Sequence, residues 1–344
     1  MEVTDNGNTT LTAKDFATDQ DVRWCPGCGD YSILKQVQTV LADTVLQRED
    51  VVFVSGIGCA ARFPYYMNTY GMHSIHGRAP AVASGLKSVN PNLSIWVATG
   101  DGDSLSIGGN HLIHTLRRNF DLNILLFNNE IYGLTKGQYS PTSPKGMMTK
   151  STPLGSIDHP FDPLKLAFGA DGSFIARTMD RDVKHLREVV TKANDHKGTS
   201  LVEIYQNCNV FNDGAFFTFT DKATKKDNCI FLQQDEPLVF GEEDQYGVKL
   251  DGFKPMIVNL QDGTSLDELW IHDEQDKAKA ALLTQYFDSS HREEKLPKPF
   301  GIIYREERST YEDNFLDQLQ SSKEKKGPGN LDELLEGKNT WVVN

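Results

Sequence analysis

Residues 94–104 read SIWVATGDGDS, and residues 123–134 read NILLFNNEIYGL. In each stretch a short apolar run ends abruptly in glycine, aspartate or asparagine, which is typical of a buried strand that leads into a functional loop. Two further runs of this kind, at residues 51–54 and 200–205, alternate with helical patterns along the chain. This alternation predicts an α/β fold built on a doubly wound parallel sheet.

The helical patterns are apolar residues that recur at spacings of three and four. They predict helices over residues 32–47, 79–89, 108–118 and 180–194. Asp30 is the expected cap of the first helix.

The pattern weakens beyond about residue 215, where it predicts only a helix over residues 276–288 and a strand over residues 297–307. Residues 321–330 are poor in apolar side chains, and we expect them to be mobile. We therefore expect an N-terminal lead-in over residues 1–20, a main domain over residues 21–220 and an irregular C-terminal extension over residues 221–344.

Composition and charge exclude several classes of protein. The 344 residues carry a net charge of −13 and are 38% hydrophobic, so the chain can bury a sizeable core. Almost all of the acidic excess lies after residue 200, which argues against a nucleic-acid partner. The sequence shows neither a signal peptide nor a membrane span, and we expect a cytoplasmic protein.

A polar or thiol side chain follows each of the four predicted strands. Cys59 follows the first strand, Asp101 the second, Asn129 the third and Cys208 the fourth. Since ligands of doubly wound sheets bind beyond the carboxyl ends of the strands, we expect these four residues to meet at one edge of the sheet.

The oxygen groups at this edge suit Mg²⁺ and a diphosphate. Asp101 offers a carboxylate, Asn129 an amide oxygen and Ile131 a main-chain carbonyl, while the flanking glycines allow a diphosphate to approach the backbone. The alternative is an ordinary turn that caps a helix. The GDG and NN motifs at this spacing resemble the thiamine diphosphate enzymes. That resemblance assigns Asp101, Asn129 and Ile131 to Mg²⁺, and it assigns to the diphosphate Gly102, Asp103, Gly133 and Leu134.

Four of the five cysteines form a candidate metal constellation. Cys25 and Cys28 lie in a C-x-x-C motif just before a predicted helix, and Cys59 and Cys208 are single. Four thiolates suit a [4Fe–4S] cluster or a structural zinc, and the C-x-x-C motif alone also suits a thioredoxin-like redox pair. The wide spread of the cysteines favours iron and sulfur over zinc. Cys229 is expected to be a partly buried free thiol.

The motifs taken in order identify a family. WCPGCGDY, GIGCAAR, HGRAPAVASGLK and NNEIYGLTKGQ resemble the β subunit of 2-oxoacid:ferredoxin oxidoreductases, most closely those that act on 2-oxoglutarate. The resemblance implies one [4Fe–4S] cluster on Cys25, Cys28, Cys59 and Cys208. It also implies that thiamine diphosphate is lined by Ile57, Gly58, Cys59, Ala60 and His76. For His76 the alternative is a histidine held by local hydrogen bonds. The cysteine runs of a built-in two-cluster ferredoxin domain are missing from this sequence.

The resemblance also implies a reaction and its partners. These are a 2-oxoacid and coenzyme A as substrates, ferredoxin as electron partner, and an α subunit in an αβ or α2β2 assembly. The glutamate that activates the cofactor is expected on the α subunit, so this chain alone should be inactive.

Lys136, in the TKGQ motif, is the candidate that holds a substrate carboxylate, the alternative being a surface lysine. Two specificities within the family remain open, 2-oxoglutarate and a pyruvate or broad 2-oxoacid preference. The rival functions are a non-oxidative thiamine diphosphate decarboxylase or synthase and a zinc-stabilised binding module.

Overall fold

The computed structural model describes residues 11–287, 296–341 and 343. The first half of the chain alternates strands with helices, as the sequence predicts. Its elements in chain order are α1 (Asp30–Ala42), β1 (Val51–Ser55), α2 (Phe63–Tyr66), β2 (Tyr70–His73), α3 (Ala79–Val89), β3 (Ser94–Gly100), α4 (Asp101–Leu105), α5 (Gly109–Arg118), β4 (Leu122–Asn128), β5 (Ile131–Tyr132) and β6 (Gln138–Tyr139).

The second half continues this alternation and then adds smaller elements. These are α6 (Pro163–Gly169), β7 (Phe174–Met179), α7 (Val183–Asp195), β8 (Thr199–Tyr205), α8 (Phe217–Thr220), α9 (Lys222–Asn228), β9 (Cys229–Phe231), β10 (Val239–Phe240), β11 (Tyr246–Asp251), β12 (Lys254–Asn259), α10 (Lys277–Tyr286), β13 (Lys298–Arg305), α11 (Tyr311–Lys326) and α12 (Leu331–Glu336).

Eight strands form the central sheet in the order β2-β1-β3-β4-β8-β7-β13-β9. The first six are parallel to one another, whereas β13 runs antiparallel to β7. The predicted doubly wound parallel sheet is therefore confirmed. Strands β10, β11 and β12 form a separate antiparallel sheet, and β5 and β6 form a short hairpin.

Both faces of the central sheet are buried, and alternate residues of each strand belong to different cores. In β1, Val52 and Val54 pack on the side of α3, α5, α6 and α10. Val51 and Phe53 pack on the other side, against α1 and α7. Burial on both faces explains why these strands are continuous apolar runs in the sequence.

The segment after residue 221 is more regular than its sequence pattern indicates. Strands β9 and β13 belong to the central sheet, and α10 packs on one of its faces. Residues 321–326, the first part of the segment that the sequence predicts to be mobile, belong to α11, which continues to Lys326. The helix is stabilised at its start by Thr310, whose side chain accepts a hydrogen bond from the main-chain N–H of Asp313.

Two other expectations concern the start of the chain. Residues 1–10 of the predicted lead-in lie outside the described residues, and residues 11–20 form turns in which Phe16 is fully buried. Helix α1 ends at Ala42, five residues earlier than predicted, and Val45 is exposed. Across the described ranges, every helix lacks the combination of length and apolar character that a bilayer crossing requires.

Candidate active site at the carboxyl edge of the sheet

Strands β1, β3 and β4 are neighbours, and a cavity lies beyond their carboxyl ends. Every predicted site residue lines this cavity except Cys25, Cys28, Cys208 and Lys136. The lining residues that the sequence predicted are Ile57, Gly58, Cys59, Ala60, His76, Asp101, Gly102, Asp103, Asn129, Ile131, Gly133 and Leu134. The topology thus brings together residues that are far apart in the chain.

Asp101 is the first residue after β3, and its side chain is buried. Its Oδ2 accepts hydrogen bonds from Ser140 Oγ at 2.5 Å and from Thr142 Oγ1 at 2.6 Å. Burial raises the pKa of Asp101 to about 6, and the hydroxyl groups of Ser140 and Thr142 act in the opposite direction. A buried carboxylate stabilised by hydroxyl groups rather than by a cationic side chain fits a site for a bound metal ion.

Asn129 and Ile131 lie in the turn between β4 and β5. Asn129 donates through Nδ2 to Gln206 Oε1 at 2.8 Å, and its Oδ1 accepts from the main-chain N–H of Ile131 at 3.2 Å. Glu130, between them, has a φ of +55°, a left-handed conformation that is uncommon outside glycine. Asn129 and Ile131 both line the same cavity as Asp101.

The side chain of Asp103 forms several hydrogen bonds within the cavity wall. Its Oδ1 accepts from the main-chain N–H groups of Ile57 at 3.1 Å and Gly77 at 2.7 Å, and its Oδ2 accepts from Thr99 Oγ1 at 2.9 Å. His76 Nδ1 lies 2.5 Å from Asp103 Oδ1, which orients the imidazole ring at the cavity wall. The carboxylate of Asp103 is therefore occupied by groups of the protein itself.

Two glycines of the cavity lining occupy positions that do not accept a side chain. Gly58 has a φ of +126°, and a Cβ added to it would point into open space beside Cys59. Gly102 lies against the ring of Tyr132, where a Cβ would approach a ring carbon to 2.2 Å. Only glycine fits both positions without strain or clash.

The cysteine constellation adjoins the cavity. A Cβ added to Gly133 would lie 3.6 Å from Cys208 Sγ and 3.7 Å from Cys59 Sγ, so both thiols face this glycine. Cys59 also lines the cavity, and Cys28 Sγ accepts a hydrogen bond from Gln206 Nε2 at 3.3 Å. Cys25 is the exposed member of the set.

The thiols of this set influence one another electrostatically. Burial raises the pKa of Cys59 to about 12, with further increases from Asp30, Cys208 and Cys25. The pKa of Cys28 is also raised, mainly by burial and then by Asp30, with smaller effects of Cys59 and Cys208. Ligation of a metal centre deprotonates such thiols. Across the described residues, no three His, Cys, Asp or Glu side chains surround a single metal-ion position.

Cys229 and Lys136 do not belong to the cavity lining. Cys229 is a buried free thiol in β9 that donates to the main-chain oxygen of Phe219. Lys136 is exposed in the loop between β5 and β6, with a φ of +84°. Within this chain it does not reach the cavity lining.

Sequence reasoning missed several residues of the site. Ser140, Thr142 and Ser143 are buried beside Asp101 and the β4–β5 turn, and Gln206 bridges Asn129 and Cys28. The run SPTSP contains the three hydroxyl residues, with Ser140 before the first proline and Thr142 and Ser143 between the two, and this is the one signal the sequence offers for them.

Asp30 is a further residue that the sequence misassigned. It does not cap α1 but is buried in the cavity wall beside Cys28, and neither of its oxygens has a hydrogen-bond partner of normal geometry. Burial raises its pKa to about 7.

Comparison with known proteins extends these observations. Residues 56–204 match the family model of the C-terminal TPP-binding domain of thiamine pyrophosphate enzymes. Over 334 residues the chain is 50% identical to the 2-oxoglutarate oxidoreductase subunit KorB of Mycobacterium tuberculosis, a match that covers 96% of this chain and 88% of that protein. It is 42% identical over 205 residues to the 2-oxoacid:ferredoxin oxidoreductase subunit beta of Saccharolobus solfataricus, which covers 59% of this chain and 67% of that protein.

A solved structure is similar over nearly the whole chain. It is the 2-oxoglutarate:ferredoxin oxidoreductase from Magnetococcus marinus with 2-oxoglutarate, coenzyme A and succinyl-CoA bound. The TM-score is 0.74 at 29% identity, and the match covers 94% of both chains.

The fold, the cavity and the matched domain define a thiamine diphosphate enzyme subunit. Similarity along almost the full length then shows that the chain belongs to the β subunits of the 2-oxoacid:ferredoxin oxidoreductases. The predicted family and its oxidoreductase class are confirmed, and both rival functions are set aside.

Proposed function

We propose that this chain is the β subunit of an enzyme that oxidatively decarboxylates 2-oxoglutarate to succinyl-CoA and CO₂, with coenzyme A as acyl acceptor and ferredoxin as electron acceptor, or that runs the reverse, CO₂-fixing reaction. The observation that carries the proposal is the position of Cys59. This residue lines the cofactor cavity, and its Sγ lies next to Gly133 together with that of Cys208, at 3.7 and 3.6 Å from the position of a Cβ there. Electrons released in the cavity therefore have a short path to the thiol constellation.

The cavity would hold thiamine diphosphate and Mg²⁺. The proposed metal ligands are Asp101, Asn129 and the Ile131 carbonyl, and the proposed diphosphate contacts are Gly102, Asp103, Gly133 and Leu134. Because the carboxylate of Asp103 is occupied, its contact would be through the main chain. When bound, thiamine diphosphate supplies a carbon nucleophile for the keto group and an electron sink for decarboxylation.

The thiols of Cys25, Cys28, Cys59 and Cys208 would hold one [4Fe–4S] cluster, which supplies one-electron steps. Gln206 donates to Cys28, and hydrogen bonds to ligating sulfur atoms are a known means of setting the potential of such a centre. The exposure of Cys25 supports electron exit to a separate ferredoxin on that side.

His76 and Lys136 are the proposed catalytic residues. Asp103 fixes His76 through Nδ1, which leaves Nε2 to exchange a proton with a group bound in the cavity. Ile57, Gly58 and Ala60 complete the wall next to this ring. Lys136 would bind a carboxylate of the substrate.

The partner would be an α subunit, in an αβ or α2β2 assembly. Apolar side chains at or near the cavity are exposed in this chain, with Ile75 73%, Ile107 55% and Leu134 50% exposed. Exposed apolar surface of this kind marks a binding face for another protein. The α subunit would cover it and enclose Lys136. In this arrangement residues 21–220 carry the cofactor sites, residues 1–20 are a lead-in and residues 221–344 an extension.

The test is anaerobic copurification with the α subunit, followed by analysis of iron, sulfide and thiamine diphosphate and by ferredoxin reduction. We expect about four iron and four sulfide per β chain, with activity on 2-oxoglutarate that needs both subunits and coenzyme A. The β chain alone is the control and should be inactive. Zinc without iron would contradict the proposal.

Substrate choice is tested in the same preparation. A higher kcat/KM for pyruvate, or equal values for several 2-oxoacids, would favour the pyruvate or broad-specificity member of the same family. Similarity to the Saccharolobus solfataricus protein, whose name specifies only a 2-oxoacid, keeps this second candidate open.

A further inference from the structure

Three buried hydroxyl groups lie against the two halves of the proposed metal site. Ser140, Thr142 and Ser143 follow the β5–β6 hairpin, and each side chain is at most 5% exposed. Two of them contact Asp101 and the third contacts the β4–β5 turn.

The contacts on Asp101 converge on a single oxygen. Ser140 Oγ and Thr142 Oγ1 both donate to Oδ2, at 2.5 and 2.6 Å. Two donors on one oxygen restrict the rotation of the Asp101 carboxylate about its Cβ–Cγ bond. A metal site gains affinity when the groups behind its ligands restrict them in this way.

The contact on the turn stabilises an unfavourable backbone conformation. Ser143 Oγ donates to the main-chain oxygen of Glu130 at 2.5 Å and accepts from the N–H of Ser140 at 2.7 Å. Glu130 is the residue with a φ of +55°, and it separates Asn129 from Ile131. Ser143 therefore helps to keep the turn in the conformation in which both neighbours line the cavity.

We infer that Ser140, Thr142 and Ser143 are positioning residues that hold Asp101 and the Asn129–Ile131 turn in the geometry that Mg²⁺ requires. This inference rests on the proposed assignment of Asp101, Asn129 and Ile131 to the metal. The three residues act through the ligands and do not themselves contact the ion.

The same loop provides a matched control. Ser156 is also buried, but its hydroxyl donates to the main-chain oxygen of Pro144 and accepts from the N–H of Met147, so it stabilises the loop without touching Asp101 or the turn. Ser156→Ala therefore reports loss of loop stability alone.

The experiment measures Mn²⁺ binding to the anaerobically purified αβ complex, after removal of its metal and in the presence of thiamine diphosphate. Free Mn²⁺ is quantified by electron paramagnetic resonance, so the measurement does not depend on turnover. We expect Thr142→Val to weaken Mn²⁺ binding by about 10- to 100-fold. Thr142→Ser, which keeps the hydroxyl, should stay within about threefold of wild type.

Ser140→Ala and Ser143→Ala should each weaken binding by about tenfold, whereas Ser156→Ala should not. Circular dichroism and Tm identify any variant that fails to fold. The variants that do fold then show whether the hydroxyl groups contribute to Mn²⁺ binding. Wild-type affinity in folded Thr142→Val and Ser143→Ala, or equal loss in Ser156→Ala, would overturn the inference. A wild-type complex that binds no Mn²⁺ with thiamine diphosphate would instead overturn the proposed metal assignment.

Discussion

The surroundings of Cys208 and Cys229 differ, and the difference yields a prediction. Cys208 and Cys59 both lie next to Gly133, whereas Cys229 is packed in an apolar cluster with Met179 and Phe300. Cys208→Ser should therefore lose iron and visible absorbance, while Cys229→Ser keeps both. The measurement is iron and sulfide content of anaerobically purified αβ complex. If both variants lose iron, or neither does, the proposed set of four ligands is wrong.

Lys136 yields a prediction about substrate choice. If its ammonium group meets the distal carboxylate of 2-oxoglutarate in the assembled enzyme, Lys136→Ala leaves that anion unpaired. We expect kcat/KM for 2-oxoglutarate to fall at least about tenfold more than for 2-oxobutyrate. A substrate without the distal charge lacks this interaction.

Lys150→Ala is the control, since Lys150 is also exposed but lies outside the β5–β6 hairpin. Equal losses for both substrates would mean that Lys136 binds the carboxylate next to the keto group. No loss of kcat/KM for either substrate would mean that Lys136 is an ordinary surface lysine.

Cys59, Asp101 and Asn129 could be predicted as members of the cofactor cavity because each follows the end of a strand, within a distinctive motif. The hydroxyl residues behind them could not. Ser140 and Thr142 contact Asp101 from about 40 positions further along the chain, and no periodicity or motif spacing connects the two segments. Only the path of the loop brings them together.

Helix α7 contains His185, and the burial of this side chain makes the stability of the folded chain depend on pH in the acid range. His185 Nδ1 lies 2.9 Å from Thr178 Oγ1 in β7, and burial lowers the pKa of His185 from 6.5 to about 4. In the unfolded chain the imidazole takes up a proton near pH 6.5, whereas in the folded chain it stays neutral to about pH 4. Above pH 6.5 His185 therefore does not reduce the free energy of unfolding. As the pH falls toward 4, protonation of the unfolded chain lowers this free energy progressively.

We predict that wild type loses up to about 3 kcal/mol of unfolding free energy from this group between pH 7 and pH 4. His185→Gln removes the titration and should flatten the dependence over that range. The measurement is urea unfolding at several pH values. His114→Gln, at an exposed position of α5, is the control and should leave the slope unchanged. A His185→Gln profile as steep as wild type would contradict the prediction.

Some strands of the central sheet can be predicted from the hydrophobic pattern of the sequence, and others cannot. Strands β1, β3, β4 and β8 are apolar runs, and their positions were predicted. Strand β7 was not, because it contains Arg177, which is fully buried. Its guanidinium pairs with Glu203 in β8 at 2.6 Å, and the two residues are partners in the strand register. A charged residue of a buried ion pair thus interrupts the apolar run by which a central strand is recognised in a sequence.

For the whole molecule, the C-terminal helices give a prediction about stability. The described residues from 327 to 341 are all exposed, so they bury nothing in this chain. A chain truncated after Lys326 should therefore unfold within about 2 °C of the full chain. A chain truncated after Ser309 should unfold at a lower temperature.

The second truncation removes α11, whose Tyr311 packs on Phe120 with ring centroids 4.6 Å apart and whose Glu312 accepts from the N–H of Asp121. Differential scanning calorimetry of the isolated chains provides the comparison. Similar losses in both truncations would show that residues after 326 contribute to the fold.

The position of β13 has a consequence for biosynthesis. The sheet is completed only when Gly301 pairs with Arg177, residues that leave the ribosome more than a hundred codons apart. Until then the free edge of β7 presents unpaired backbone groups to any other chain nearby. A nascent or proteolysed chain that ends near residue 220 would carry all the proposed cofactor ligands and yet be prone to aggregate. Production of this subunit in a heterologous host should therefore depend on uninterrupted translation through codon 305.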